Sequence, residues 1–252
     1  MRKKEGEKEI YLWAVIFWLF VWQLVSMIID SDIILVSPIQ GIERLLQLTF
    51  ELKFWKSILY SFIRIIGGFI LALLAGIFWA ALSFRYKRIN QLLAPVILSI
   101  KTIPVASFII LSLVWFSSKN LAVFISFLMV FPIIYTNIFK GITETDPKLI
   151  EMAAVFSIPM PRRIRYIYIP EILPYFRAGC NIALGLCWKS GIAAEVIGMP
   201  SGSIGEQLQQ AKVYLETADL FAWTLVIVVI SILFEKIFLK LTDILIKRLE
   251  RV

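Results

Sequence analysis

Polar and charged side chains stand inside long apolar stretches of this sequence. Five of them are candidates for lining a path across a membrane: Arg64, Lys101, Asn181, Lys189 and Glu195. An ionisable side chain at the centre of a bilayer costs at least about 2.5–3.5 kcal/mol and usually faces a partner or a water-filled cavity. With Arg177, the set holds four cations and one anion, which favours a path suited to an anionic solute.

A structural interpretation of the same residues stays open. Arg64 and Glu195 can pair with each other, while Arg177 and Lys189 extend their charged ends to the membrane interfaces. Asn181 suits either the lining of a path or a hydrogen bond between helices.

Residue types that carry catalysis or bind metals are scarce. The chain has no histidine, no Gly-x-Ser-x-Gly turn, and two cysteines, Cys180 and Cys187, seven positions apart. This excludes the usual zinc and disulfide patterns, so we expect no metal, no cofactor and no enzyme activity. There is also no Gly-x-x-x-x-Gly-Lys-Ser/Thr loop for nucleotide phosphates, because Gly185–Ser190 has the wrong spacing. The chain itself is therefore not expected to hydrolyse ATP.

The composition is that of an all-α membrane protein. The chain is 60% hydrophobic, with a mean hydropathy of +0.83, whereas soluble domains are about 45–50% apolar. A helix needs about 20 apolar residues to cross a bilayer. Six segments qualify, of which the third is interrupted by Pro95 and Pro104: 10–29, 55–83, 92–116, 120–140, 172–197 and 219–243.

The first segment has a rival interpretation as a cleaved signal peptide. Signal peptides carry an apolar region of about 7–15 residues and a small-residue cleavage site. This run is longer, is rich in Trp and Phe, and ends in Ser26–Asp30. It therefore predicts a retained membrane helix.

The distribution of Lys and Arg predicts the orientation. Positive charges favour cytoplasmic loops. With both termini cytoplasmic, 17 of the 26 Lys and Arg residues fall in inside segments and five in outside segments. The net charge of +8 is then explained by topology, and we expect no nucleic-acid partner.

Two connecting segments are more than simple connectors. Apolar residues recur at roughly helical spacing in 38–52, which predicts a short amphipathic helix at the outer surface. The longest cytoplasmic loop, 141–171, interleaves charged and apolar residues, which favours contact with another protein. We divide the chain into an N-terminal helix with its external segment, 1–54, and a core transmembrane domain, 55–252.

The 141–175 segment resembles the Glu-Ala-Ala loop of binding-protein-dependent ABC importer permeases. The glutamate corresponds to Glu151, and two prolines at the family's spacing correspond to Pro170 and Pro174. Met152 replaces the first alanine, and Ser157 stands where the family has glycine. Glycine permits a left-handed turn after the short helix, so we expect the helix to end differently here.

Four further segments resemble the sulfonate, taurine and nitrate type of these permeases, and they occur in the family's order. They are Ser61–Phe69, Lys101–Pro104, Ala193–Gly198 and Ser201–Gly205.

The resemblance implies a type I ABC importer permease fold in the bacterial cytoplasmic membrane. It further implies a homodimer, an external substrate-binding protein near 198–212, and a separate ATP-binding subunit that moves the permease. The residues expected to contact that ATPase are Leu149, Ile150, Glu151, Met152, Ala153, Ala154 and Ser157. Small side chains at Ala153 and Ala154 favour close approach, as for a helix in a groove.

Several alternatives remain at this point. Arg162, Arg163 and Arg165 suit pairing either with acidic groups on the ATPase or with anionic lipid. The implied substrate is a small anion such as a sulfonate, taurine or nitrate, although related permeases carry vitamin precursors. A secondary carrier would show matched broken helices in two inverted halves, and only one break is evident.

Overall fold

A computed structural model describes residues 12–250 of the chain, and every regular element in this range is helical. The basic residues predicted to hold the N-terminus inside, Arg2, Lys3, Lys4 and Lys8, lie outside the described range, as does Arg251. The helices are α1 Leu12–Ile29, α2 Pro38–Thr49, α3 Leu52–Arg85, α4 Lys87–Thr102, α5 Val105–Ser112, α6 Ser118–Thr143, α7 Pro147–Val155, α8 Met160–Arg163, α9 Ile169–Gly198, α10 Ile204–Val213 and α11 Thr217–Glu250. A π-helical turn, Ile164–Tyr168, joins α8 to α9.

Four helical segments in the described range are long and apolar enough to cross a membrane. They are α3, α6, the continuous stretch Met160–Gly198, and α11 as far as Ile244. The pair α4 and α5 passes the same test together, bent by 104°. The apolar part of α1 is shorter, Trp13–Ile29. All-helical membrane architecture is therefore confirmed, with four or five apolar spans by length and composition.

The bend between α4 and α5 occurs at one of the two prolines expected to interrupt this span. Ile103 is extended, with φ −76° and ψ 132°, immediately before Pro104. The expected interruption at Pro95 is wrong, because α4 runs through it. The residue before a proline disfavours helical geometry, and this restriction is greater for β-branched Ile103 than for Ala94, the best helix former.

A face of small residues brings α3 against α6. Gly68, Ala72, Gly76 and Ala80 recur every four residues on α3, and all four are buried. A Cβ built on Gly68 would lie 2.4 Å from the carbonyl oxygen of Val123. Such small-xxx-small faces let helix backbones approach closely in membranes, where packing replaces the hydrophobic effect.

Aromatic side chains fill the space on the other side of α3, towards α9 and α11. Trp188 of α9 lies 6.0 Å from Phe62 and 6.4 Å from Phe234 between ring centroids. Phe69 meets Phe238 edge-on at 5.1 Å. These contacts place α9 between α6 and α11 and make it the central element of the bundle.

The predicted amphipathic helix in 38–52 is confirmed as α2. Its N-terminus is a capping box, in which Gln40 N–H donates to Ser37 Oγ and Ser37 N–H donates to the Gln40 side chain. Leu48 is buried, whereas Ile39 and Ile42 are exposed. An ion pair between Arg44 and Asp219 holds α2 to the start of α11.

The small-residue face predicts unequal effects of one added methyl group at two adjacent glycines. Gly68→Ala forces the new Cβ into backbone and side-chain atoms of α6, at a cost of about 1–3 kcal/mol. At Gly67 an added Cβ meets nothing within 4 Å, so Gly67→Ala serves as the matched control. The fraction of protein that stays monodisperse after heating in detergent should fall for Gly68→Ala only. Equal heat resistance of both variants would contradict this packing.

Candidate functional site

Helix α7 begins at a well-formed cap in the loop after α6. The Asp146 carboxylate accepts a hydrogen bond from Lys148 N–H at 2.9 Å, and Pro147 occupies the first helical position. Both are favoured helix-start features, because the first amides of a helix have no partner within it. The helix therefore starts at Pro147, two residues before Leu149, the first residue expected to contact the ATPase.

Ser157 ends α7 in the way that a glycine would. Its φ is +50°, in the left-handed region. Ile158 N–H donates to Ala153 O at 2.9 Å, and Ser157 N–H donates to Ala154 O at 3.0 Å. These two bonds define a Schellman motif. The expectation that serine would change the helix end is wrong, because two backbone bonds hold the turn despite the Cβ.

Arg163 fixes the returning chain against the end of α7. Its Nε donates to Ile158 O at 2.6 Å and its Nη2 to Ala153 O at 3.0 Å. The sequence left Arg163 to pair with a partner or with lipid, but the structure engages it within the loop. Arg162 and Arg165 are exposed. The clamp was not predicted because both of its acceptors are backbone carbonyls, which carry no side-chain signal.

The open face of α7 differs from the predicted small face. Ala153 is fully buried within the chain, so it is not available to another protein. Glu151 and Ala154 are exposed, and Val155 and Phe156 are 80% and 73% exposed. The surface is therefore apolar and bulky around Ala154.

The other predicted coupling residues lie at the margins of this face. Met152 and Ser157 are exposed, and Leu149 and Ile150 are half-buried.

Arg64 and Glu195, two of the path candidates, lie near the same end of the bundle without forming an ion pair. Arg64 donates to the Lys119 carbonyl and stacks 4.0 Å above the Tyr60 ring. Glu195 is fully buried and accepts a hydrogen bond from Ser61 Oγ at 2.6 Å. The structural alternative of a direct Arg64–Glu195 pair is wrong.

The other three path candidates, which all lie in the described range, form no hydrogen bond or ion pair with Arg64 or Glu195. Lys101 lies at the end of α4, with its Nζ 3.5 Å from Thr136 Oγ1. Asn181 and Lys189 are exposed on α9. The five candidates do not converge on one site within the chain.

Three clefts of about 280, 350 and 230 Å³ lie near α2, and no candidate lines them.

Arg177, one of the four cations counted within the spans, has an acidic partner, Asp243. Its Nε lies 2.6 Å from Asp243 Oδ1 and its Nη2 lies 3.2 Å from Oδ2. This bidentate pair joins the start of α9 to the end of α11. Asp243 was not predicted because it lies at the edge of its span, 66 residues away. The excess of cations over anions is therefore smaller than it first appeared.

A bundle of apolar helices with a rigid, partly apolar helix exposed between two spans is the architecture of an ABC transporter permease. The family described as "Binding-protein-dependent transport system inner membrane component" matches residues 68–251. The chain belongs to this family. It is a multi-pass permease subunit of the bacterial inner membrane, and the family works with an ATPase and a substrate-binding protein. It is a family of transport subunits rather than of enzymes.

Curated relatives agree with this assignment. A putative aliphatic sulfonates transport permease protein, SsuC, of Bacillus subtilis is 28% identical over 261 residues, covering 100% of this chain and 90% of the relative. The taurine transport system permease protein TauC of Escherichia coli is 24% identical and covers 85% and 80%. The nitrate import permease protein NrtB of Synechococcus elongatus is 28% identical and covers 76% and 72%. The predicted resemblance is confirmed.

A solved structure shares the fold. It is described as a crystal structure of an amino acid ABC transporter with histidines, with a TM-score of 0.59 and 20% identity. The match covers 78% of this chain and 93% of that chain.

The left-handed turn at Ser157 predicts a stabilising substitution. A Cβ in this conformation costs roughly 1–2 kcal/mol, which glycine avoids. Ser157→Gly should raise the apparent melting temperature in detergent by about 2–8 °C, at about 2–4 °C per kcal/mol for a chain of this size. Ser117→Gly is the control, because Ser117 is exposed and has an ordinary φ of −64°. A melting temperature for Ser157→Gly no higher than that of the control would refute strain at this turn.

Proposed function

We propose that the chain crosses the membrane six times with both termini cytoplasmic. Two side-chain contacts show that α3 and α6 run parallel, which supports a crossing of the membrane in the opposite direction by the α4–α5 pair between them. Arg64, in the first half of α3, reaches the start of α6. Tyr135, in the second half of α6, donates to Ser83 near the end of α3. The Trp22 ring of α1 packs against the Phe221 ring of α11, with centroids 5.2 Å apart and planes tilted by 37°, which supports α1 as a sixth span.

Single cysteines test this topology, because native Cys180 and Cys187 are 0% and 1% exposed and give little background. A membrane-impermeant maleimide should label Lys119→Cys in intact spheroplasts and Glu144→Cys only after permeabilisation. Tags at both termini should become accessible only after permeabilisation. Terminal tags on opposite sides would rule out an even number of spans.

The proposed activity of the loop is to couple transport to a separate ATPase through α7. The observation that carries this proposal is the exposed face around Glu151, Val155 and Phe156, on a helix fixed by its cap, its Schellman turn and the Arg163 clamp. Large apolar side chains exposed beside charges are typical of a protein-binding surface. Because the helix is held at both ends, a force applied to it passes to α6 and α9 rather than bending the loop.

Charge reversal at Glu151 is the direct test of coupling. Glu151→Lys should leave the protein in the membrane while ATP-driven uptake falls at least about tenfold, because one incompatible charge at an interface costs several kcal/mol. Glu144→Lys is the matched control, since it makes the same change at an exposed glutamate of the same loop, outside α7. Uptake and ATP hydrolysis are measured in proteoliposomes that contain the ATPase and the binding protein. Wild-type uptake by Glu151→Lys would exclude the coupling role.

The solute path is proposed to lie between two copies of this chain. Support comes from the exposed face of α9. The exposed residues on this face are Ala178, Asn181, Ile182 and Lys189. At Gly185 on this face an added Cβ meets nothing within 4 Å. An exposed amide and an exposed ammonium group on one membrane helix are costly against lipid and are accommodated better along a hydrated path. The native mass of the purified complex tests the stoichiometry, and a single permease copy would refute it.

The proposed substrate class is a small organic or inorganic anion. The relatives named for sulfonates, taurine and nitrate support it, as do the exposed Lys101 and Lys189. The same proteoliposome assay, run with an alkanesulfonate, taurine and nitrate in turn, tests the class. Uptake of a cationic or neutral vitamin precursor in their place would refute it.

A further inference from the structure

Three helices meet at a buried hydrogen-bonded junction at the end of the bundle away from α7. Ser61 Oγ of α3 donates to Glu195 Oε2 of α9 at 2.6 Å. The first residues of α10 complete the set: Ile204 N–H donates to Ser61 Oγ at 2.9 Å, and Gly205 N–H donates to Glu195 Oε2 at 3.3 Å. Ser61, Glu195 and Ile204 are each 0% exposed.

The junction is closed by backbone contact as well as by hydrogen bonds. A Cβ built on Gly205 would lie 2.4 Å from both the carbonyl carbon and the Cβ of Glu195. The chain reverses between α9 and α10 through Met199, with φ +45°, and Gly202, with φ +83°. Helix α10 is thus pressed onto the last turn of α9, and only glycine at position 205 permits this approach.

The chemistry of the junction suits a carboxylate that holds a helix end. The first amides of α10 have no partner within the helix, and Ser61 and Glu195 accept two of them. A negative charge at a helix N-terminus is also favoured by the helix dipole. Because Glu195 has no exposed surface, it has no access to a solute in this conformation, and the path role expected for it does not fit this geometry.

Helix α9 connects this junction to the cytoplasmic loop. It contains 30 residues, about 45 Å at 1.5 Å per residue. Its N-terminal end follows the π-helical turn after the Arg163 clamp, and its C-terminal end carries Glu195. One continuous helix therefore joins the ATPase-facing loop to the external helix α10.

We propose that Glu195, supported by Ser61, is a positioning residue that makes α9 and α10 move as one rigid unit. Docking of the binding protein on the external side is thereby passed to the coupling loop. The inference rests on the proposed function, in which an external binding protein and a cytoplasmic ATPase act on opposite ends of this chain.

The test compares Glu195→Ala with Glu195→Gln in the full complex with its ATPase, with and without the binding protein. Glu195→Ala removes the acceptor of both bonds. Glu195→Gln keeps a carbonyl oxygen for Ser61 and Gly205, and its amide nitrogen can replace Oε1, which makes no hydrogen bond to a described residue. Glu216→Ala is the control, because Glu216 is exposed beyond the end of α10.

Stimulation of ATP hydrolysis by the binding protein should fall about tenfold in Glu195→Ala, within the range of measured couplings between sites. Hydrolysis without the binding protein should stay at the wild-type level, and Glu195→Gln should recover most of the stimulation. Full stimulation of Glu195→Ala overturns the inference, and so does an equal loss in Glu195→Gln. A wild-type complex that shows no stimulation refutes the proposed function instead.

A second measurement reports on the junction directly. Spin labels at Ile197 and Gln210, both exposed, should give a narrow distance distribution in wild type, Glu195→Gln and Glu216→Ala. Glu195→Ala should broaden it. If that variant does not assemble, Ser61→Ala takes its place, because it removes one donor to the carboxylate and the acceptor of Ile204 N–H. An unbroadened distribution in the variant that assembles overturns the inference.

Discussion

The close approach of α3 to α6 sets the geometry on which the other elements depend. In a bilayer, burial of apolar surface does not by itself hold helices together, so contact distance and packing decide which pairs form. The glycines and alanines from Gly68 to Ala80 allow α3 and α6 to touch through their backbones. The face of α3 away from α6 is aromatic, and it receives α9 and α11. Small side chains on one face of α3 and aromatic side chains on the other thus determine which helices pack on each side of it.

The same packing gives the loop between α6 and α9 its rigidity. Near the C-terminal end of α6, an added Cβ on Gly141 would lie 3.1 Å from the Tyr175 ring of α9. The two helices that flank the loop are therefore already in contact. Between them, α7 is held by Asp146 at its start and by the Ser157 turn and Arg163 at its end. A docking helix on a flexible loop would absorb the movement of a partner. Under the proposed coupling role, the movement of the ATPase is therefore passed to α6 and α9 and is not absorbed by the loop.

The sequence predicted the all-helical membrane architecture, the amphipathic α2, the short helix before Ser157 and the break at Pro104, because each depends on a local pattern. It did not predict which polar residues meet. Arg177 pairs with Asp243 across 66 positions, and Glu195 meets Ser61 across 134; neither separation leaves a periodic signal. At Ser157 a local pattern gave the wrong prediction. The residue type argued against a left-handed turn, but two backbone hydrogen bonds and a nearby arginine outweigh a penalty of roughly 1–2 kcal/mol.

Four of the polar and charged side chains inside the spans divide into two groups once their partners are known. Arg177 forms an ion pair with Asp243, and Oε2 of Glu195 accepts hydrogen bonds from Ser61 and from Gly205 of α10. These contacts offset part of the cost of the two charges in the membrane without any solute. Lys189 and Asn181 are different, since both side chains are exposed on α9. A membrane protein keeps such groups where water or a second subunit meets them. The face of α9 that carries them is therefore the part of the chain best suited to a hydrated path, while its buried face holds the bundle together.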